Sequence, residues 1–445
     1  MFKTAGVRSI RRAFFGLSLV CLAVILGACA HPPTTDSREP KSWVVENVAS
    51  KSTAELYADL IAPAVFERSS SKVIDGYTVE SGNLRMPDKS VGALVTVRSA
   101  DGSLTALVEK KEASGLLVVN KQGERKFTPD RSNVGLRNDV EVNTVGEKKL
   151  STSRSPDQSY EVDMLIGYSR SAVASVGGNA TSHALALVES ANLALRNSLV
   201  TSVSLKLVGV QIVEQNYPIV AGGLANVPII FSEGMREFQP DMLYAVFSGH
   251  PDDDSAGRAY APGRFAMGFP EAWIFRHEIG HNAGGGHCPS EPGAPVPYGH
   301  GYNNGKSNTA QCGEEGVYYS TPAVIDQFGL PKGDSATADM ARVWRENAER
   351  LSSYAPSPPT APGNFAKVRS SAHTITFGWN ASPKAVRYEI YRVNVALDPL
   401  PKKIGDSTAL TFTATNISGE ALYFVKAVSS IGLVSVPSNS VVARP

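Results

Sequence analysis

Residues 277–287 read His277-Glu278-Ile279-Gly280-His281-Asn282-Ala283-Gly284-Gly285-Gly286-His287. Two histidines four apart on an α-helix share one face, about 6 Å apart along the axis. Both imidazoles can then reach one ion. A catalytic zinc takes three protein ligands and keeps a fourth position open. His277 and His281 supply two of the three. Glu278 follows the first ligand and projects to the open side, where its carboxylate can act as general base on a metal-activated water. Gly284 tolerates a positive φ, so it can end the helix and swing the chain round. That turn returns His287 as the third ligand. Pro270 and Glu271 suit a helix start, so the spacing predicts a helix over residues 270–283.

Working outward, Tyr160-Glu161-Val162-Asp163-Met164-Leu165-Ile166-Gly167-Tyr168 reads as a strand, and residues 179–197 as an amphipathic helix with Leu185, Val188, Ala191 and Leu195 on one face. Val203, Leu205 and Leu207 alternate as a strand, and residues 241–247 form another. Residues 339–354 read as a closing helix. This order predicts an α/β domain with a mixed sheet over residues 159–355. Residues 46–150 carry short alternating runs separated by turns and read as a β-rich or α+β region, with a polar linker over 151–158.

The long zinc motif resembles that of the metzincin metalloproteases. The strand at 160–168, the helix carrying Asn192 and the strand at 203–209 look like the opening of reprolysin-like domains, and Tyr318-Tyr319-Ser320-Thr321-Pro322 resembles the stretch that follows the motif there. Among bacterial members the chain looks most like the peptidyl-Asp metalloendopeptidases, which implies cleavage beside an acidic residue. The resemblance implies a zinc endopeptidase acting on protein or peptide substrates, with Zn2+ on His277, His281 and His287. It also makes residues 46–150 a propeptide that covers the cleft until cleavage near 151–158. A blocking thiolate is excluded, because no cysteine lies between Cys29 and Cys288. The chain departs from the family at the methionine turn. The corresponding place is Thr309-Ala310-Gln311-Cys312, and Met340, on the closing helix, is the only methionine after the motif.

The first 28 residues pair a basic start with an apolar run over 14–26, followed by Leu26-Gly27-Ala28-Cys29. The run is short for a membrane span of about 20 residues. It resembles a lipoprotein signal peptide with Cys29 as the lipidated residue, and Arg11-Arg12 faintly resembles a twin-arginine signal. Either route predicts export, with a membrane anchor at Cys29 and a tether over 29–45. The cell envelope is the expected location, and outer-membrane residence and release after processing both stay open. Export favours a disulfide between Cys288 and Cys312. Net charge is +1 over the whole chain; losing the four basic residues of the first 28 makes it −3, and neither value suggests a nucleic-acid partner.

Residues 356–362 are a Pro-rich linker. Residues 363–445 alternate in strand fashion, and Trp379, Tyr388, Ile390, Tyr423 and the Ser435-x-x-Ser438 pattern resemble a fibronectin type III sandwich, with Trp379 and Tyr423 in its core; a protein ligand, a glycan ligand and no ligand all stay open. The competing reading is a catalytically degenerate surface lipoprotein that binds a partner through this module. Glu278 argues against it, since a structural zinc needs no base. Of the other candidates, His183 is expected at the surface or boundary of its helix, His373 in the sandwich and His300 in a loop. Tyr298 or Tyr302 could stabilise an oxyanion, and Asp252-Asp253-Asp254 is expected to be a solvated run.

Overall fold

The computed structural model describes residues 41–44, 58–110, 113–131, 135–136, 139–141 and 159–445, the last without 292, 314–315, 357, 384, 395–397 and 430–431. The signal segment, Cys29, most of the tether and the linker at 151–158 lie outside the described residues. Among the described residues no helix is long and apolar enough to cross a membrane.

Alternation decides the first unit. Strands β1 (Lys41–Val44), β2 (Val65–Ile74), β3 (Tyr77–Arg85), β4 (Val91–Arg98), β5 (Leu104–Glu109), β6 (Gly115–Val119) and β7 (Glu124–Pro129) form an antiparallel sheet in the order β1-β7-β6-β5-β4-β3-β2. Glycines with positive φ, such as Gly76 and Gly102, close its turns. On β4, Leu94 faces a small core with Val108, Leu117 and Phe127. Its neighbours Ala93, Val95 and Val97 face the opposite way, into the main core of the molecule.

The second sheet contains β8 (Val140–Glu141), β9 (Tyr160–Ser169), β10 (Val203–Val213), β11 (Met242–Val246), β12 (Gly257–Tyr260) and β13 (Phe265–Gly268), ordered β10-β9-β11-β13-β12-β8. Strands β10, β9, β11 and β13 run parallel, β12 is antiparallel to β13, and β8 lies parallel on β12. The sheet is therefore mixed, as the strand order predicts. The first sheet ends at Pro129 and Val140 already belongs to the second, so the chain divides earlier than the expected boundary at 150.

A long helix, Ala180–Asn197, packs between the two sheets. Asn179 caps it by accepting the Ser182 amide at 3.0 Å. Leu185, Val188 and Leu195 share one core with Val95, Val97 and Leu107 of the first sheet. Covering both sides of the helix buries His183 completely, with its Nδ1 2.8 Å from the Tyr168 hydroxyl. The expectation of a surface histidine is thus corrected: the first sheet occupies the face that amphipathicity assigned to solvent. Burial drives the His183 imidazole down to about 3, so it is neutral.

The ligand helix spans Ala272–Ala283, starting two residues later than predicted because Glu271 is its N-cap. The closing helix spans Met340–Leu351, with Asp339 accepting the Arg342 amide at 3.0 Å. Between them lies the pair β14 (Thr321–Ile325) and β15 (Pro331–Lys332). The C-terminal unit is a seven-stranded sandwich. One sheet holds β16 (Ala366–Ser371), β17 (Thr374–Gly378) and β20 (Thr411–Thr415); the other orders β19 (Asp398–Ser407), β18 (Ala385–Asn394), β21 (Ala421–Ser429) and β22 (Val441–Ala443). Trp379 and Tyr423 lie in its core, and His373 sits in the turn between β16 and β17.

Candidate metal centre

The ligand helix ends at Gly284, whose φ of 112° is open to glycine and strained for other residues. The chain turns there and brings His287 back to His277 and His281. The three rings lie 4.5–5.2 Å apart by centroid. Two backbone carbonyls fix the tautomers of the helical pair. His277 Nδ1 lies 2.8 Å from the Ala310 carbonyl, and His281 Nδ1 lies 2.8 Å from the Gly285 carbonyl. A carbonyl only accepts, so each Nδ1 carries its proton and donates it. The two Nε2 lone pairs then face each other at 2.9 Å. Burial, and next the neighbouring His281, drive His277 down to about 4, so no proton bridges that pair from His277 at neutral pH. Two facing acceptors of this kind are matched by a cation.

A fourth side chain completes the cluster. Asp139 is fully buried, with Oδ2 at 3.2 Å from His277 Nε2 and 3.8 Å from His281 Nε2, and Oδ1 at 3.0 Å from His287 Nε2. The ligand atoms of all four residues lie within 4.8 Å of one another, and the set could hold a metal ion. Burial raises the Asp139 carboxyl, but hydrogen bonds from the three histidines outweigh it and hold it well below the usual range. His287 also approaches Glu291, at 3.4 Å from its Nδ1. Burial lowers His287, and the bond to Asp139 outweighs that and raises it.

Glu278 is buried beside the cluster, and among the described residues neither of its oxygens has a hydrogen-bond partner. Burial first, then the charge of Asp139, push its carboxyl well above the ordinary glutamate range. Strand β12 gives it room: a Cβ on Gly257 would lie 2.3 Å from Glu278 Oε1.

The floor is the Thr309–Cys312 stretch, where the sequence lacks a methionine. Ala310 accepts from His277, and Gln311 Nε2 donates to the His277 carbonyl at 2.6 Å. Gly280 leaves room for that amide, since its Cβ would lie 1.9 Å from Gln311 Nε2 and push it aside. Met340 does reach the site, from the closing helix. Its Cε would lie 2.5 Å from a Cβ on Gly285, so the thioether fills the space against the turn that holds His281. Cys288 and Cys312 are joined in a disulfide that ties the floor to the residue after the third histidine.

The remaining candidates are placed elsewhere. His300 braces the turn, its Nδ1 3.2 Å from the His287 carbonyl. The Tyr298 hydroxyl donates to Glu346 at 2.5 Å and its ring stacks under Arg342, so it is spent on the closing helix. Tyr302 is tied by its amide to Thr309 Oγ1 at 2.7 Å. Asp253 accepts the Ile219 amide at 2.7 Å and the His250 amide at 2.6 Å, and Asp254 pairs with Arg258 at 2.6 Å, so two of that acidic run stitch a loop.

Sequence reading missed Asp139, Gln311 and the reach of Met340. None of the three left a local signal, since each reaches the site through tertiary packing.

No family model matches the sequence, and no curated protein matches it. Among solved structures, one described as a chaperone–substrate complex is 20% identical over 59% of this chain, at a TM-score of 0.39; this chain spans 42% of its length. Fibronectin type III domains are similar to about 20% of the chain. An Fn3-like protein from Clostridium thermocellum is 27% identical and covered to 94% of its length, at a TM-score of 0.18. The domain of human fibronectin type III domain containing protein 3 is 21% identical and covered to 86%, also at 0.18.

Proposed function

We propose that the chain is a zinc endopeptidase with a metzincin-like ligand set: His277, His281 and His287 hold the metal and Glu278 is the general base. The observation that carries this reading is the pairing of two imidazole lone pairs at 2.9 Å, tautomers fixed by carbonyls, with a buried and partnerless glutamate beside them. Zinc suits the donors. Tetrahedral bonds of about 2.0–2.1 Å place neighbouring ligand atoms about 3.3–3.4 Å apart, and the contacts of 2.9–3.8 Å straddle that spacing.

Bound zinc supplies Lewis-acid polarisation and lowers the pKa of a water to about 7. The chain's own residues do the rest. Glu278 takes the proton from the attacking water and passes it to the leaving amine. Gly257 and Gly280 keep the base and the first ligand in register by leaving room for Glu278 and Gln311. Arg258 on β12 faces two carboxylates, Asp254 and Glu141, which supports a preference for acidic side chains. The C-terminal sandwich is proposed as a fibronectin type III module binding protein or glycan, and the chain as an exported lipoprotein anchored at Cys29.

The test pairs metal content with cleavage. Wild-type chain and Glu278→Ala are loaded with zinc and incubated with a mixed-sequence peptide library after the wild type has been activated. One zinc per chain in both is expected, with cleavage falling by about 10²–10⁴-fold in the variant. Equal cleavage, or zinc uptake indifferent to His281→Ala, would contradict the assignment.

A further inference from the structure

The long helix Ala180–Asn197 is covered on more than one side. Ser182 to Leu195 is buried without a break, polar residues included. A helix that lies on a single sheet keeps a polar face toward water. Here the first sheet takes that face. Val95, Val97 and Leu107 of the sheet share one core with Leu185 and Val188 of the helix. The same junction carries polar ties. Glu189 meets Ser81 Oγ at 2.6 Å and Lys72 Nζ at 2.7 Å, and Asn83 and Asn197 exchange side-chain hydrogen bonds at 3.1 and 2.9 Å. The junction also reaches the ligand helix. Arg276 precedes the first ligand, is 1% exposed, and donates from both Nη groups to the Glu109 carboxylate at the end of β5, from Nη1 at 2.6 Å. Taking the sheet away would open the apolar face of the long helix to water. It would also leave Arg276 and Glu189 without these partners, and a buried charge that loses its partner is strongly destabilising.

We propose that the first sheet (β1–β7) is a permanent subunit of the catalytic fold: a chain cut in the linker at 151–158 stays together as two tightly bound pieces, held in part by the buried pair of Glu109 and Arg276. A folding template could be discarded once the rest has formed; this sheet could not. Residues 46–150 are then not shed as one propeptide, because most of them wall the long helix.

The test inserts a site for a sequence-specific protease into the 151–158 linker of the full chain. The chain is cut, loaded with zinc and run on a size-exclusion column without denaturant. The two pieces should co-elute one to one down to about 0.1 μM, which requires a Kd below that value. Two variants of the cut chain sharpen the result. Glu109→Ala should raise the Kd at least about 100-fold. Glu67→Ala, which removes an exposed acid of the same sheet paired with Arg85, should leave it unchanged. A catalytic piece that elutes alone with native near-ultraviolet circular dichroism overturns the subunit. Equal Kd values in the two variants overturn the part given to Glu109. Co-eluting pieces that hold no zinc uphold the subunit and overturn the metal centre instead.

Discussion

Two buried glutamates face opposite circumstances in this molecule. Glu189, on the long helix, accepts from Ser81 Oγ at 2.6 Å and meets Arg196 at 2.8 Å and Lys72 at 2.7 Å. Burial would raise it, but Arg196 and Lys72 outweigh that and its pKa is lowered. Glu278, on the ligand helix, is equally buried, meets no partner among the described residues, and is raised. The first carboxylate is matched by the fold and joins the first sheet to the helix. The second meets no hydrogen-bond partner among the described residues, which is how a group that acts on water and substrate is expected to look.

The comparison predicts that cutting a matched pair destabilises and that deleting the unmatched carboxylate does not. The largest effect belongs to the buried, bidentate pair between Arg276 of the ligand helix and Glu109 of the first sheet, with Nη1 to Oε1 at 2.6 Å. Arg276→Ala should lower unfolding stability by about 3–5 kcal/mol, read as a shifted urea midpoint. Replacing both partners by Met and Leu should recover most of it; no recovery would mean that shape, not charge, holds that contact. Glu189→Ala should cost about 2 kcal/mol, less because Arg196 and Lys72 are partly exposed and can rehydrate.

Gly280→Ala should weaken zinc binding about tenfold by pushing Gln311 off the His277 carbonyl. Adding Gln311→Ala should restore it, and failure to do so would remove Gln311 from the account of the floor. Glu278→Gln should not lower the stability of the metal-free chain at neutral pH and should raise it, because a neutral amide removes the cost of a buried carboxylate; a loss would make Glu278 structural and break the comparison.

The pH dependence of the metal-free chain carries the opposite signs. Glu189 has a lowered folded pKa, so its contribution is present above the unfolded value of about 4.3 and fades as pH falls through the folded one. Glu278 has a raised folded pKa, so its contribution is full below about 4.3 and is lost as pH rises through the folded value. Above that value the urea midpoints should therefore part from wild type in opposite directions, Glu189→Gln falling below it and Glu278→Gln rising above it.

Much of this was legible in the sequence, and the misses have physical causes. The three-histidine motif, the turn at Gly284 and the seven strands of the sandwich rest on local spacing and alternation, which survive tertiary context. His183 was misplaced because periodicity reports one apolar face and cannot see a second sheet arriving on the other. Asp139 was missed because it lies 138 residues before His277 and carries no periodic signal; only the folded geometry brings it to the cluster. How the floor packs without the methionine was not legible. Gln311 supplies a hydrogen bond there and Met340 fills the turn from another helix, and neither contact follows from sequence neighbours.

The most direct measurement removes only the base. Zinc-loaded wild-type chain and Glu278→Gln, each cut near residues 151–158, are assayed on the mixed-sequence peptide library, with zinc quantified in each. One zinc per chain in both and cleavage about 10²–10⁴-fold faster with Glu278 present is the predicted result. Zinc in both with no difference in cleavage would contradict the assignment of Glu278 as the base.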